Sequence, residues 1–222
     1  MPHEVSTPSV PLGISARLKA GTAVDHAAAE GRQFLAPLAA GAGFDLADFR
    51  GLTVSLQVVY EALEAVADRL VQDPIAGPFV DRRLFRRTAL AADLSRIPGA
   101  DSCPPVPAAF EYAARIRNTI GEPIRFVAHH YIRYLGDLSG GQVLRRWLLQ
   151  QLPQMAEATT FYDFSGLGSP SVFKAGYRAQ LDALPEDRID DLIDEARLAF
   201  RCNIAVFDQL HELRTVRPAL AG

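Results

Sequence analysis

The sequence predicts a single all-α domain, and three observations carry that prediction. Apolar residues recur at three- and four-residue spacing along most of the chain, the mark of helices that bury one face. No stretch alternates convincingly between apolar and polar residues, so strands are not expected, and no internal repeat is present. Proline and glycine gather at the joints between periodic segments, where they end helices. A length of 222 residues, 49% of them hydrophobic, suffices for one domain with a sizeable core.

About seven helices are expected. Residues 1–11 are polar and proline-bearing and read as a flexible N-terminal tail. The helical domain spans residues 12–215, and residues 216–222 read as a C-terminal tail. Its first helix starts at Ile14 and runs through Leu18, Ala23 and Ala27. Asp45 opens a long second helix whose apolar face is Phe49, Leu52, Leu56, Val59, Leu63 and Val66. Asp73 to Pro78 interrupts the pattern, and a third helix follows over Asp81 to Ile97. Three prolines between Ala100 and Pro107 demand a loop. A fourth helix covers Pro107 to Ile120. After Gly121-Glu122-Pro123 a fifth runs through His129, Leu135 and Trp147 to about Gln151. A glycine- and serine-rich loop, Ser165 to Pro170, precedes two last helices, Ser171–Leu184 and Pro185–Leu213. Pro185 suits the first turn of the final helix, where its missing N–H costs nothing.

The net charge of −3, with both signs interspersed, argues against a nucleic-acid or membrane surface. Cys103 and Cys202 lie far apart without paired spacing and fit free thiols in a reducing compartment. Cys103-Pro104, in a proline-rich loop, is assigned no role. There is no basic-then-apolar leader, and no apolar run reaches the ~18–20 residues of a membrane span. A cytoplasmic location is therefore expected. Among 23 basic residues only Lys19 and Lys174 are lysine, so each of these stands out.

The oddest segment is Tyr134-Leu135-Gly136-Asp137-Leu138-Ser139-Gly140-Gly141-Gln142. It lies inside an apolar-periodic helix yet holds three glycines in six positions. Each interior glycine costs roughly 1 kcal/mol against alanine, so the helix gives up about 3 kcal/mol. Such a run marks a kink, or a close approach of backbone to something flat. Tight helix–helix packing through small residues would explain the glycines equally well. Asp137 is the discriminating residue, because an acid among glycines on an apolar helix needs a partner. Arg133 supplies one four residues earlier on the same face.

The longer segment His129-His130-Tyr131-Ile132-Arg133-Tyr134-Leu135-Gly136-Asp137-Leu138-Ser139-Gly140-Gly141-Gln142-Val143-Leu144 resembles the signature of the heme oxygenase family, essentially unbroken. The resemblance extends from Ile14 to Leu213, more loosely between Asp73 and Ala114. It implies an all-α, single-domain, multi-helix bundle in which heme b, cofactor and substrate at once, is sandwiched between a proximal helix and a kinked distal helix. The glycine segment would be the distal helix, with Gly136 and Gly140 lying over the iron. The implied activity is oxygen-dependent cleavage of heme to biliverdin, carbon monoxide and ferrous iron.

Heme needs an axial ligand, and neutral imidazole is the usual one. His3 lies in the tail, His211 near the C-terminus, and His129 and His130 share a helix with the glycine segment. His26 remains, in Thr22-Ala23-Val24-Asp25-His26-Ala27-Ala28-Ala29-Glu30. A lone helical histidine is more often structural or exposed, but this segment resembles the family's proximal helix. Glu30, one turn on, could orient the imidazole. Two propionates need cations. Lys19 stands seven residues before His26, on the same helical face. Lys174 and Arg178, at i and i+4, repel unless an anion lies between them. They could be an ordinary solvated face, but Lys19, Tyr131, Lys174 and Arg178 match the family's propionate contacts and imply the alpha isomer of biliverdin.

Asp137 matches the aspartate through which the family acts on oxygen by way of ordered water, so that the oxidant attacks the porphyrin's own meso carbon. Arg133, Tyr60 and Asn203 resemble the residues that hold that water, although Tyr60 could equally be a core tyrosine. Thr22, Ser139, Phe200 and Phe207 would line the pocket.

A heme carrier or sensor without turnover is the first alternative, disfavoured because simple binding needs no acid in a glycine-rich distal helix. A di-iron oxidase or thiamin-degrading enzyme is the second. A di-iron site would want Glu-x-x-His pairs, and the chain has none. No dinucleotide, flavin or phosphate-loop motif is present, so electrons are expected from a separate ferredoxin or flavoprotein reductase. Arg115, Arg117, Arg145 and Arg146 are candidates for its docking surface. The short length and the lack of an apolar C-terminal anchor resemble soluble bacterial members, expected as a monomer or weak dimer.

Overall fold

A computed structural model describes residues 12–220, with side chains to residue 217. The expected tail 1–11, with His3, and the last two residues lie outside the described residues. Ten α-helices and no strands are present among the described residues: α1 (Ile14–Gly21), α2 (Ala23–Glu30), α3 (Ala36–Ala40), α4 (Leu46–Leu70), α5 (Arg87–Leu94), α6 (Pro107–Arg117), α7 (Pro123–Gly136), α8 (Gln142–Gln151), α9 (Pro170–Asp182) and α10 (Ile189–Leu220).

Ten helices replace the seven expected, for local reasons. The first expected helix divides at Thr22, whose backbone (φ −109°, ψ 4°) leaves the helical range while its hydroxyl donates to the Leu18 carbonyl at 2.9 Å. The short α3 ends at Gly41 in the left-handed region (φ 73°), where glycine avoids the Cβ clash. The expected Asp81–Ile97 helix shrinks to α5. Asp81 caps a separate 3-10 turn, and the Glu64 carboxylate of α4 accepts the N–H groups of Arg86 and Arg87, defining the start of α5 from outside. Pro185 falls before a 3-10 turn, Glu186–Arg188, and α10 starts only at Ile189. At the other end α10 reaches Leu220, so most of the expected C-terminal tail is helical.

α4 is the central helix. Asp45 and Asp48 form a reciprocal capping box at its start, at 2.9 and 3.2 Å. The expected apolar face is buried, and so are Tyr60, Ala62, Glu64 and Ala67 on other sides, because α5, α6, α7 and α10 all pack around it. α10 packs in turn on α1, α2, α6 and α7. The pair α1–α2 is thereby held opposite the junction of α7 and α8.

At that junction the chain makes one π-helical turn, Asp137–Gly141, widening the helix by a residue. This is the form the expected kink takes. It coincides with the glycine cluster because glycine tolerates the extra residue with no side chain to crowd the neighbouring turn.

Candidate active site

A cavity of about 480 Å³ opens between α1–α2 and the π turn, a size usual for a small-molecule site. Its near wall is Lys19, Thr22, Ala23, His26, Ala29 and Glu30; Leu52 and Leu56 of α4 and Phe200, Asn203 and Phe207 of α10 close its interior. Across from them stand Tyr131, Arg133, Gly136, Asp137, Ser139 and Gly140, with Lys174 and Arg178 of α9 at the edge. Lys19 and His26 line the same cavity although Thr22 interrupts the helix on which the sequence placed both.

All three glycines line the cavity, but Gly136 and Gly140 differ from Gly141. A Cβ at Gly136 or Gly140 would meet nothing within 4 Å. A Cβ at Gly141 would stand 3.3 Å from Asp137 Cβ and 3.5 Å from the Tyr162 ring. Gly136 and Gly140 thus present bare backbone to the cavity, and Gly141 gives room to the acid. The sequence reading singled out the first two and missed the purpose of the third.

Opposite, the His26 side chain is 57% exposed, its Nδ1 3.5 Å from Glu30 Oε2 and its ring edge-on to Phe200 at 5.7 Å. Nε2 is the ring nitrogen left without a partner among the described residues. Small Ala23 and Ala29 flank it in the wall. His129 and His130 are buried core residues, Nε2 of the first 2.8 Å from Glu195 and Nδ1 of the second 2.8 Å from the Tyr177 hydroxyl. Neither reaches the cavity.

Asp137 is buried beside the cavity, and burial holds its carboxyl well above the usual carboxylate range. Tyr60 donates its hydroxyl to Oδ2, and Arg133 Nη2 lies 3.4 Å from Oδ1. Arg133 also donates to Asn203 Oδ1 at 2.7 Å and lies over the Tyr60 ring at 5.2 Å. Tyr60 is not part of the cavity wall; it stands behind Asp137, fully buried. Tyr112, which the sequence reading did not single out, has a sealed hydroxyl without a protein partner, as has Arg133 Nε. Buried polar atoms of this kind are satisfied by water. Nothing in the periodicity of α6 distinguishes Tyr112 from a core aromatic.

The edge of the cavity is basic. Lys174 Nζ donates to Ser139 Oγ at 2.8 Å. Partial burial and then the Arg178 guanidinium push its ammonium below the ordinary lysine range, a strain that an anion between the two would relieve. Burial raises the Tyr131 phenol, and Arg178 partly offsets it. Of the basic residues considered for a partner surface, Arg115 is paired with buried Glu195, and Arg145 donates from Nε to Thr159 Oγ1 at 3.2 Å. Among the described residues no helix is long and apolar enough to cross a membrane, and both cysteines are free.

Fold and site define an all-α protein with a cavity that has an imidazole on one wall, glycine backbone on the other, a buried acid beside it and basic residues at its edge. Comparison with known proteins agrees. The Heme oxygenase family profile matches residues 12–209, and the chain belongs to the heme oxygenase family. Heme oxygenase 1 of Homo sapiens is 36% identical, over 93% of this chain and 75% of that protein. The heme oxygenase of Porphyra purpurea is 35% identical, over 87% of this chain and 85% of its own length. The crystal structure of heme oxygenase-1 from the cyanobacterium Synechocystis in complex with heme has a TM-score of 0.87 at 28% identity, covering 95% of this chain and 97% of that one.

Proposed function

We propose that this pocket holds heme b through His26 and degrades it to biliverdin, carbon monoxide and ferrous iron. The observation that carries the reading is the pairing across the cavity of His26 with the bare backbone of Gly136 and Gly140. The residues fit the group: an unpartnered imidazole nitrogen on one wall, glycines whose missing Cβ atoms leave a flat surface on the other, and cations at one edge for carboxylates. When bound, heme supplies both the iron that activates oxygen and the ring carbon that is oxidised.

The chain's own residues bind, orient and manage protons. Glu30 faces His26 Nδ1 and sets the ring orientation, as outer carboxylates do for ligating histidines. Lys19, Tyr131, Lys174 and Arg178 hold the propionates at the basic edge and so decide which meso carbon turns toward Asp137; the arrangement favours the alpha isomer. Asp137, its carboxyl pushed above the usual carboxylate range by burial and held by Tyr60 and Arg133, moves protons through water at that carboxyl. Electrons come from a separate ferredoxin or flavoprotein reductase, because the sequence carries no motif for a redox cofactor of its own.

The test is reconstitution with hemin followed by reductant under air. Loss of the Soret band with biliverdin and carbon monoxide produced is the expected result. A heme complex that survives turnover conditions would instead make the protein a carrier or sensor.

A further inference from the structure

A second tyrosine faces the distal end of the cavity, outside the glycine segment. Tyr162 closes a 3-10 turn, Thr160–Tyr162, that two residues of α5 and its approach clamp in place. Asp93, 1% exposed, accepts from the Thr160 N–H and hydroxyl at 2.9 and 2.6 Å and from the Phe161 N–H at 2.8 Å. Arg86 donates to the carbonyls of Phe161, at 3.4 Å, and Asp163. A third tie joins this turn to the distal helix. Gln142 Nε2 donates to the Tyr162 carbonyl at 2.9 Å and to the Asp137 carbonyl at 3.2 Å. The backbones of Tyr162 and Asp137 are thus held by one amide.

The side chains flank the same glycine as well. Tyr162 Cδ1 and Asp137 Oδ1 each lie 3.5 Å from the place a Cβ on Gly141 would take. The Tyr162 ring is fixed edge-on to Phe161 at 4.7 Å and lines the cavity. Its hydroxyl has no hydrogen-bond partner among the described residues and is not among the sealed polar atoms. Of the other buried tyrosines, Tyr60, Tyr134 and Tyr177 bond to Asp137, Glu64 and His130, and the Tyr112 hydroxyl is sealed. Two tyrosines line the cavity. Tyr131 belongs to the basic edge, and Tyr162 stands at the acid. Burial, and then the nearby Asp137 carboxyl, raise its phenol, so the group stays protonated and available as a donor.

We infer that Tyr162 is a positioning residue of the reaction: its hydroxyl holds a water that Asp137 also binds, fixing the path by which Asp137 moves a proton. The inference rests on the heme oxygenase reading of the site. A hydroxyl with an open face in a polar corner is where an ordered water finds the two or more partners it needs.

The test is Tyr162→Phe in the full chain, which keeps the ring and its packing and removes only the hydroxyl. Crystal structures of wild type and variant are expected to show one water within hydrogen-bond distance of Tyr162 Oη and the Asp137 carboxyl, lost in the variant with the ring unmoved. In the hemin complex, the midpoint of the pH-dependent change in the visible spectrum is expected to shift by about half a unit or more. The kcat is expected to fall about fivefold, the worth of one neutral hydrogen bond, at unchanged hemin affinity. A wild-type structure with no water shared by the two residues would overturn the inference. So would a variant with unchanged midpoint and kcat, or one whose kcat falls only together with its Tm. Failure of the wild-type chain to consume hemin would strike the heme oxygenase reading instead.

Discussion

Tyr60 donates its hydroxyl to Asp137 across 77 residues of chain, joining the central helix α4 to the π turn. The pair accounts for how an acid survives at a buried, glycine-rich bend. The phenol supplies a donor to one carboxyl oxygen, and Arg133 covers the other. Both contacts restrain the carboxyl in place beside the cavity.

Replacing Asp137 by Asn keeps the shape and removes the titrating proton. Turnover of hemin is expected to fall by about 100-fold or more, the usual scale for a lost acid–base group, with hemin affinity within about twofold of wild type. Tyr60→Phe is expected to cost about tenfold by releasing the carboxyl. Single-turnover kinetics beside a Soret titration check both; unchanged kcat in Asp137→Asn would remove Asp137 from the mechanism.

The glycines are expected to separate by role. Gly136→Ala and Gly140→Ala each gain about 1 kcal/mol of helix propensity yet place a methyl group in the cavity. The protein should become more stable while hemin affinity drops. Gly141→Ala sets its methyl against Asp137 and Tyr162 instead of in open space, so binding is expected to persist while turnover declines. Thermal melts with and without hemin distinguish the two patterns, which a purely helix-packing role for the glycines would not produce.

His26→Ala is expected to abolish the axial ligand and broaden the Soret band, with added imidazole restoring it. Glu30→Gln should retain the ligand and lose about 10- to 100-fold in affinity or activity, the range for an outer partner of a ligating histidine. A His26→Ala complex with an unaltered spectrum would relocate the ligand.

Lys174→Ala together with Arg178→Ala removes two cations from one edge of the cavity while leaving the histidine wall intact. The bound macrocycle is then free to rotate about its ligand axis. Chromatography of the product is expected to show a mixture of biliverdin isomers instead of a single one; one unchanged isomer would mean that shape alone orients the ring.

Acid should destabilise this fold through His130. Burial pushes its imidazole down from the ordinary 6.5 to about 3. The folded state therefore keeps it neutral while the unfolded chain takes up a proton below pH 6.5. This contribution is fully present above pH 6.5 and is lost as pH falls toward 3, at up to about 1.4 kcal/mol per pH unit. Urea melts from pH 7 to 4 are expected to show that limb, and His130→Phe, although it loses the bond to Tyr177, should flatten it.

Much of the protein was legible in its sequence. Helical periodicity over α4, α6, α7 and α10 is a local property, set by which residues within a few turns are apolar, and so is the conflict between glycines and an acid in residues 136–141. Those two signals carried the fold class and the unusual segment and, with the resemblance, pointed to His26 and the basic residues that line the cavity. Tertiary structure decided what depends on partners distant in sequence. α5 begins at Arg87 because Glu64, on another helix, accepts its first N–H groups. The expected single helix from Ile14 becomes two at Thr22. Tyr112 and Tyr162 lie in segments with no pattern to separate them from core aromatics, and only packing buries the Tyr112 hydroxyl without a protein partner and brings Tyr162 into the cavity wall with Asp137. Periodicity reports which face of an element is buried; what it is buried against is settled when the elements meet.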